Sequence, residues 1–321
     1  MKIIFMGTPD FGVPVIHEII ENGHEICTVV TQPDRPKGRG KGVAVSPVKA
    51  EAIKLGIPVY QPVKVKSPDA VAYLKSLSPD VIVVVAFGQI LSQEILDIPR
   101  YGCVNVHASL LPKYRGAAPI QKAILEGEKV TGITTMLMDK GLDTGDILLK
   151  EEVEISNDET GGSLFAKLSL IGAKLLAKTL RGLEEETISP VPQVGESSYA
   201  GMLDKTMGLI DWSNSTDLIE RQIRAMNPWP SAYTHLDGKL LKIWKAEPID
   251  SGKEIADGSE TNFEGRIPGT VLSSDKKGIY VLTGDGILRI LELQPEGKKR
   301  MDVDSFLRGH KLQTGTVLGE G

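Results

Sequence analysis

Apolar positions in the first hundred residues recur in two alternating rhythms. "KIIFMG" is a short unbroken apolar run ending at Gly7, and "PVIHEIIENG" follows with helical spacing and a stop at Gly23. The pair then repeats. "EICTVVTQ" predicts a strand and "SPVKAEAIKLG" a helix, "IPVYQP" a third strand and "SPDAVAYLKSL" a helix opened by Ser67. Pro68 suits the first helical position, where a missing N–H leaves no bond unmade. "PDVIVVVAFG" is the strongest strand signal, β-branched and apolar on both faces, as in a parallel strand covered by helices on either side. "GCVNVHAS" repeats the theme, and "TGITTMLM" and "GDILLKEEVEI" add two strands around a Gly-rich loop. "GGSLFAKLSLIGAKLLAKTLRGL" places Leu164, Leu168, Ile171, Leu175 and Leu176 on one stripe of a helix that closes the first domain near residue 184.

This alternation predicts an α/β domain over residues 1–184, a doubly wound and mostly parallel sheet. Ligands in such folds sit beyond the carboxyl ends of the strands. Residues 185–208 mix Glu, Pro, Ser and Gly and are expected to form a linker. From residue 209 the pattern changes. "STDLIERQIRAM" is a capped helix ended by "NPWP", and "AYTHLDGKLLKIWKAEPI" is two alternating runs joined by Asp237-Gly238, a strong hairpin signal. "GTVLSS", "GIYVLTGDG" and "ILRILELQ" add short strands between turns, so residues 209–321 are expected to form a small β-barrel.

Composition narrows the options. At 321 residues the chain is long for one core, and its 41% hydrophobic and 25% charged residues fit a soluble globular protein. A net charge of −5 removes any global electrostatic case for nucleic-acid binding, so such a function must rest on a local patch. Cys27 and Cys103 each lie in an apolar run and are expected to be buried, inert thiols, not a disulfide framework or zinc site. The apolar run after Lys2 is too short for a signal-peptide core, and no stretch approaches the roughly 20 apolar residues that span a bilayer. A cytoplasmic protein away from membranes is expected.

Three stretches carry candidate chemistry. In "VNVHASLLPKYRG", Asn105 and His107 stand at i and i+2 of a strand end, on one face, so both can converge on one ligand atom. The plainer reading is a core histidine bonded to a core asparagine. His17, His24, His235 and His310 lack such company and are expected to be structural or solvent-facing. In "MDKGLDTGD", Asp139, Asp143 and Asp146 are interspersed with Gly141 and Gly145, allowing a tight bend. It can be a simple acidic turn, and the twelve-residue calcium loop is absent. If this loop and the one after His107 leave the same sheet edge, a carboxylate can reach the imidazole. In "QPDRPKGRGKGVAVSPVK", Arg35, Lys37, Arg39, Lys41 and Lys49 face only Asp34, a solvated basic loop or an arm for a phosphate backbone. It is not a P-loop, and "GTPDFG" lacks the second glycine of a dinucleotide fingerprint.

Taken together, "VNVHASLLPKYRGAAPIQ" and "MDKGLDTGDIL" resemble the folate-dependent formyltransferases, which share an Asn-His-Asp centre. "GTPDFG", "TQPDRPKGRGK" and "NPWPSAYT" are similar to the branch whose amine is initiator methionyl-tRNA. The resemblance runs nearly the whole chain and implies 10-formyltetrahydrofolate as co-substrate, with no metal. It implies a Rossmann-like formyltransferase domain followed by an OB-like tRNA-binding domain, in a monomer. It makes Asn105, His107 and Asp143 the catalytic set, with Ser109, Leu110, Leu111 and Pro112 lining the folate site. Phe87, Gly88 and Ile90 would hold the pterin, and Arg39 foremost, with Arg35, Lys37 and Lys41, would enter the acceptor stem. Residues 201–321 hold 16 Lys+Arg against 18 Asp+Glu, so tRNA contact there would use clusters such as Lys298, Lys299 and Arg300. The same centre would also serve a formyltransferase acting on a small amine, such as a sugar nucleotide or glycinamide ribonucleotide. Outside the family, a nicotinamide oxidoreductase and a non-catalytic tRNA-binding protein are the alternatives.

Overall fold

All five residues of the strand Val81–Val85 are buried, which is what a run apolar on both faces requires. They form the centre of a computed structural model that describes residues 1–36, 43–249 and 267–319. The chain divides into two units, the first comprising Met1–Ile120, Lys129–Ile155 and Leu164–Gly201. Its sheet has seven strands in the order Ile147–Glu154, Val130–Leu137, Cys103–His107, Val81–Val85, Lys2–Gly7, Glu25–Val30, Val59–Tyr60. Pairing is parallel from Cys103–His107 to Val59–Tyr60. Val130–Leu137 and Ile147–Glu154 then add antiparallel at one edge.

Helices cover both faces. On one side the helix Gly161–Glu184 buries Leu164, Leu168, Leu175 and Leu176 of its stripe, while Ile171 is only half-buried. A Cβ on Gly172 would stand 3.0 Å from Val106 Cγ1, so the helix backbone lies directly on that strand. On the other side Val71, Leu74, Ile95 and Leu96, from the helices Pro68–Ser76 and Gln93–Leu96, pack with Ile82, Val84 and Cys103. Val106 and the trio Cys103, Asn105 and His107 therefore point to opposite faces. Ser46 caps the helix Pro47–Lys54 by accepting from Lys49 N, whereas Ser67 holds the cap position of its helix without a side-chain cap bond.

Residues 185–201 stay bound to the first unit. Val191 pairs with Ile147, and Tyr199–Ala200 pairs in parallel with Arg115–Gly116. Backbone pairing of this kind leaves no mark in a Pro- and Ser-rich composition. Up to Gly201 the stretch has the composition of a linker and the pairing of the first unit.

The second unit holds Gln121–Glu128, Ser156–Ser163 and Met202 onward. Its antiparallel sheet runs Ala232–Leu236, Lys239–Ile249, Ile287–Pro295, Gly278–Leu282, Val271–Asp275, with Met301–Asp302 beside Ile287–Pro295. The hairpin turn is made by Asp237 at φ 51° and Gly238 at φ 69°, the double left-handed geometry that Asp-Gly favours. Ile219 and Ile223 of the helix Thr216–Ala225 join Leu241, Ile243, Leu288 and Ile290 in its core. Among the described residues no helix is long and apolar enough to cross a membrane.

Candidate active site

The strand Cys103–His107 ends at the carboxyl edge of the parallel sheet, with Asn105 and His107 on one face and only 8% and 6% exposed. The chain then makes a tight turn that the sheet holds from below. Ser109 Oγ donates to Lys113 O at 2.6 Å. The buried Thr134 hydroxyl donates to Ser109 O at 2.7 Å and accepts from Leu111 N at 3.1 Å. Lys150 Nζ donates to Leu111 O. The turn brings Tyr114 O to 2.9 Å from His107 Nε2. A carbonyl oxygen only accepts, so Nε2 carries a hydrogen and Nδ1 is left for chemistry.

Nδ1 faces Asp143, whose Oδ2 lies 3.7 Å away. Asn105 Nδ2 donates to Asp143 Oδ1 at 3.3 Å, and Gly116 N donates to Asp143 Oδ2 at 2.8 Å. The three residues named from sequence thus meet in one nearly buried cluster. The route differs from a shared sheet edge. Val130–Leu137 is antiparallel to Cys103–His107, with Leu137 opposite Val104, so the loop 138–146 starts at the amino end of the strand that carries His107. It folds back along the sheet face to deliver Asp143, whose backbone is left-handed at φ 52°. Asp139 accepts from Gly141 N and Thr144 Oγ1 and so shapes the loop from within. Among the described residues no group of three His, Cys, Asp or Glu side chains is arranged to hold a metal ion.

Sequence reasoning missed the residues that hold Asp143 in place. Gln193 Nε2 donates to both Asp143 O and Gly145 O at 2.8 Å, and its Oε1 accepts from Arg115 Nε and Nη2. Gln193 lies in the stretch that composition assigns to a linker. No periodicity or motif there singles it out.

The loop after Val81–Val85 leaves the same carboxyl edge as the turn after His107. Phe87 is 2% exposed and packs into the core, whereas Ile90 is 78% exposed and Gly88 takes φ 80°. Gln32 Nε2 and Thr8 Oγ1 both donate to Phe87 O. Ser109 and Leu111 are likewise fully buried, and Leu110 packs where a Cβ on Gly132 would stand 2.5 Å from its Cδ2. Ile90 is exposed and Leu110 and Pro112 are half-buried, so these side chains and the loop backbone remain accessible where Phe87, Ser109 and Leu111 are not.

Lys37, Arg39 and Lys41 lie outside the described residues. The flanks of their loop are paired, Arg35 with Ala44 and Pro36 with Val43. Behind them Lys49 Nζ donates to Asp34 Oδ2 at 2.5 Å and Gln61 Nε2 donates to Asp34 Oδ1 at 2.9 Å. The Lys49 bond, then the Gln61 bond, holds the Asp34 carboxyl below its ordinary range. In the second unit, Arg300 is paired with Glu292 and lies 5.3 Å from the Trp244 ring centroid. Lys298 and Lys299 are exposed beside it.

The chain matches the formyl transferase family over residues 1–180 and the formyl transferase C-terminal domain over residues 202–311. A methionyl-tRNA formyltransferase of Agathobacter rectalis is 53% identical over 319 residues, 99% of each chain. The structure of a methionyl-tRNA formyltransferase from Clostridium thermocellum superposes with a TM-score of 0.55 at 21% identity, over 80% of this chain and 97% of that one. HypX from Aquifex aeolicus, solved in complex with tetrahydrofolic acid, gives a TM-score of 0.64 at 18% identity over 98% of this chain, which spans 50% of HypX. With both domains matched and half the positions identical along its full length, this chain belongs to the methionyl-tRNA formyltransferase family.

Proposed function

We propose that this chain transfers the formyl group of 10-formyltetrahydrofolate to the amino group of methionyl initiator tRNA, and that Asn105, His107 and Asp143 carry the chemistry. The observation that supports this most directly is their convergence at the carboxyl end of Cys103–His107. There His107 Nδ1, Asp143 Oδ2 and the Asn105 amide share one nearly buried space.

The chemistry follows from those atoms. The neutral α-amine attacks the formyl carbon, forming a C–N bond and moving the carbonyl electrons onto oxygen. The Asn105 amide has two N–H groups and gives one to Asp143, so the other can donate to this oxyanion. His107, with Nε2–H committed to Tyr114 O, can add a charged donor at Nδ1. Asp143 stabilises that charge and takes part in moving a proton from the attacking nitrogen to N10. The C–N10 bond then breaks, and tetrahydrofolate leaves with the proton on N10. Folate would lie against the backbone of the 86–90 loop and the Ser109–Pro112 turn.

The division of labour in this reading is a catalytic domain over 1–184, completed by residues 185–201 that stay with the first unit, and a tRNA-binding domain over 209–321. Arg39 with Arg35, Lys37 and Lys41 meets the acceptor stem. The enzyme acts as a monomer in the cytoplasm, where translation initiates.

The test is transfer of formyl from 10-formyltetrahydrofolate to methionyl initiator tRNA by wild type, His107→Ala and Arg39→Ala at two salt concentrations. Transfer that needs His107 and is weakened by salt and by loss of Arg39 is expected. Transfer to a small amine in preference to the tRNA would overturn the substrate and keep the chemistry.

A further inference from the structure

We infer that Gln193 and Arg115 are positioning residues that set where the Asp143 carboxylate stands, an inference that rests on the catalytic reading of Asp143 above. These residues close a ring of hydrogen bonds. Asp143 Oδ2 accepts from Gly116 N at 2.8 Å. Arg115, the preceding residue, donates to Gln193 Oε1 through Nη2 at 2.7 Å and Nε at 3.2 Å. Gln193 Nε2 then returns to the starting residue, donating to Asp143 O at 2.8 Å, and spends its second hydrogen on Gly145 O at 2.8 Å.

Every bonding position of the Gln193 amide is used: two donors face two carbonyls, and two oxygen lone pairs face one guanidinium. The assignment is unambiguous, because turning the amide over would set its oxygen against two carbonyls and its nitrogen against a cation. The ring thus fixes both ends of the aspartate. Its backbone is held by Gln193 and its carboxylate by Gly116, the neighbour of the residue that holds Gln193.

Such a clamp is needed here. Asp143 is a non-glycine residue at φ 52°, a left-handed conformation that Asp tolerates at some cost relative to the right-handed one, and the bonds to Gln193 and Gly116 hold it there. It also sits on a loop that folds back from the far end of its strand. Gly145 helps from the other side: a Cβ there would lie 1.8 Å from Leu137 O, so the loop is pressed against its own strand. The strand pairing of Tyr199–Ala200 with Arg115–Gly116 brings the 185–201 segment to this position. The segment therefore serves the reaction centre as well as joining the two units in sequence.

The experiment is a mutant cycle on the full-length enzyme. Gln193→Met, Asp143→Asn and the double variant are compared for kcat, for the KM values of the formyl-folate donor and the methionyl initiator tRNA, and for melting temperature. Gln193→Met is expected to lower kcat by roughly 10- to 100-fold, the scale of a displacement of about 1 Å in a reacting group, with both KM values within about 2-fold of wild type. In the Asp143→Asn background it should cost no further kcat, because the group it positions is already disabled. A purely structural role would instead lower the melting temperature and add its loss to that of Asp143→Asn. Wild-type kcat in Gln193→Met, or an undiminished loss in the double variant, overturns the inference. Wild-type kcat in Asp143→Asn overturns the catalytic reading and the inference with it. Should Gln193→Met not fold, Arg115→Lys, which breaks the two-point bond to Oε1, should show a smaller loss of kcat that Asp143→Asn again absorbs.

Discussion

His107 presents Nδ1 to Asp143 Oδ2 across 3.7 Å, a gap too long for a direct hydrogen bond and short enough for an ion pair. The other ring nitrogen is bound to Tyr114 O, so protonation at Nδ1 is the one event that turns this contact into a charged pair. His107→Ala should therefore lose about 10²–10³ in kcat, the usual cost of one oxyanion donor, with its far-UV circular dichroism unchanged. Single-turnover transfer to methionyl initiator tRNA measures it. Activity within a few-fold of wild type would remove His107 from the mechanism.

Thr134 ties the turn after His107 to the sheet at two points, through Ser109 O and Leu111 N. Thr134→Val keeps the shape and leaves both backbone groups buried without that partner, at about 1–3 kcal/mol each. The variant should melt several degrees lower and show a several-fold weaker apparent affinity (a raised KM) toward the formyl-folate donor. Thr134→Ser should restore both. A normal KM in the valine variant would mean that the turn holds its shape without this hydroxyl.

Cys103 is buried at the base of the same strand, and burial, aided by the Asp97 charge, pushes its thiol up to about 12. Cys27 is raised less far, by partial burial first and Glu25 second. Native protein at pH 8 should leave Cys103 untouched by a thiol reagent, while denatured protein reacts at both cysteines. The unfolded thiol ionises near its ordinary value and the folded one does not. The native state thus binds more protons between about pH 9 and 12 and stability falls as pH rises through that window. Rapid labelling of Cys103 at pH 8 would contradict the packing.

Asp34 has the opposite sign. The hydrogen bond from Lys49 holds its folded-state carboxyl below the ordinary range. Its contribution to stability is therefore complete at pH 7 and is lost as pH falls below the unfolded value, about 3.9, through the depressed folded one. The melting-temperature difference between wild type and Asp34→Asn should shrink from pH 7 to pH 3. A difference that stays constant would show that the charge at Asp34 does not matter to the fold.

The parallel core was legible because Val81–Val85 and its neighbours declare their burial in β-branched runs, and the second-unit hairpin because Asp237-Gly238 admits few other turns. Asn105 and His107 were legible for a similar reason: period two at a strand end puts two side chains on one face. Read from the residues alone, Asp143 was one of three aspartates, and only the family resemblance picked it out. What singles it out is a loop folding back along a sheet, and that depends on strand direction, which no local pattern encodes. Phe87 shows the same limit at finer scale. The resemblance points to its loop, but whether ring or backbone meets a ligand depends on which way the chain turns after Val85. Gln193 carried no signal at all, since its role lies in four hydrogen bonds to residues distant in sequence.

The antiparallel hairpin that delivers Asp143 has one more implication, for the kinds of sequence change this chain can accept. Leu137 N bonds to Asp146 O, so both ends of the loop 138–146 are stitched to the sheet, and its contour length limits how far the carboxylate can reach before Gln193 and Gly116 fix it. One residue more or fewer would shift that reach by up to about 3.5 Å, comparable to the whole His107–Asp143 spacing. The loop is in effect a measured tether. It can exchange exposed side chains such as Lys140 and Leu142 freely. An insertion or deletion anywhere between Met138 and Asp146 should silence the enzyme even where it leaves the fold intact.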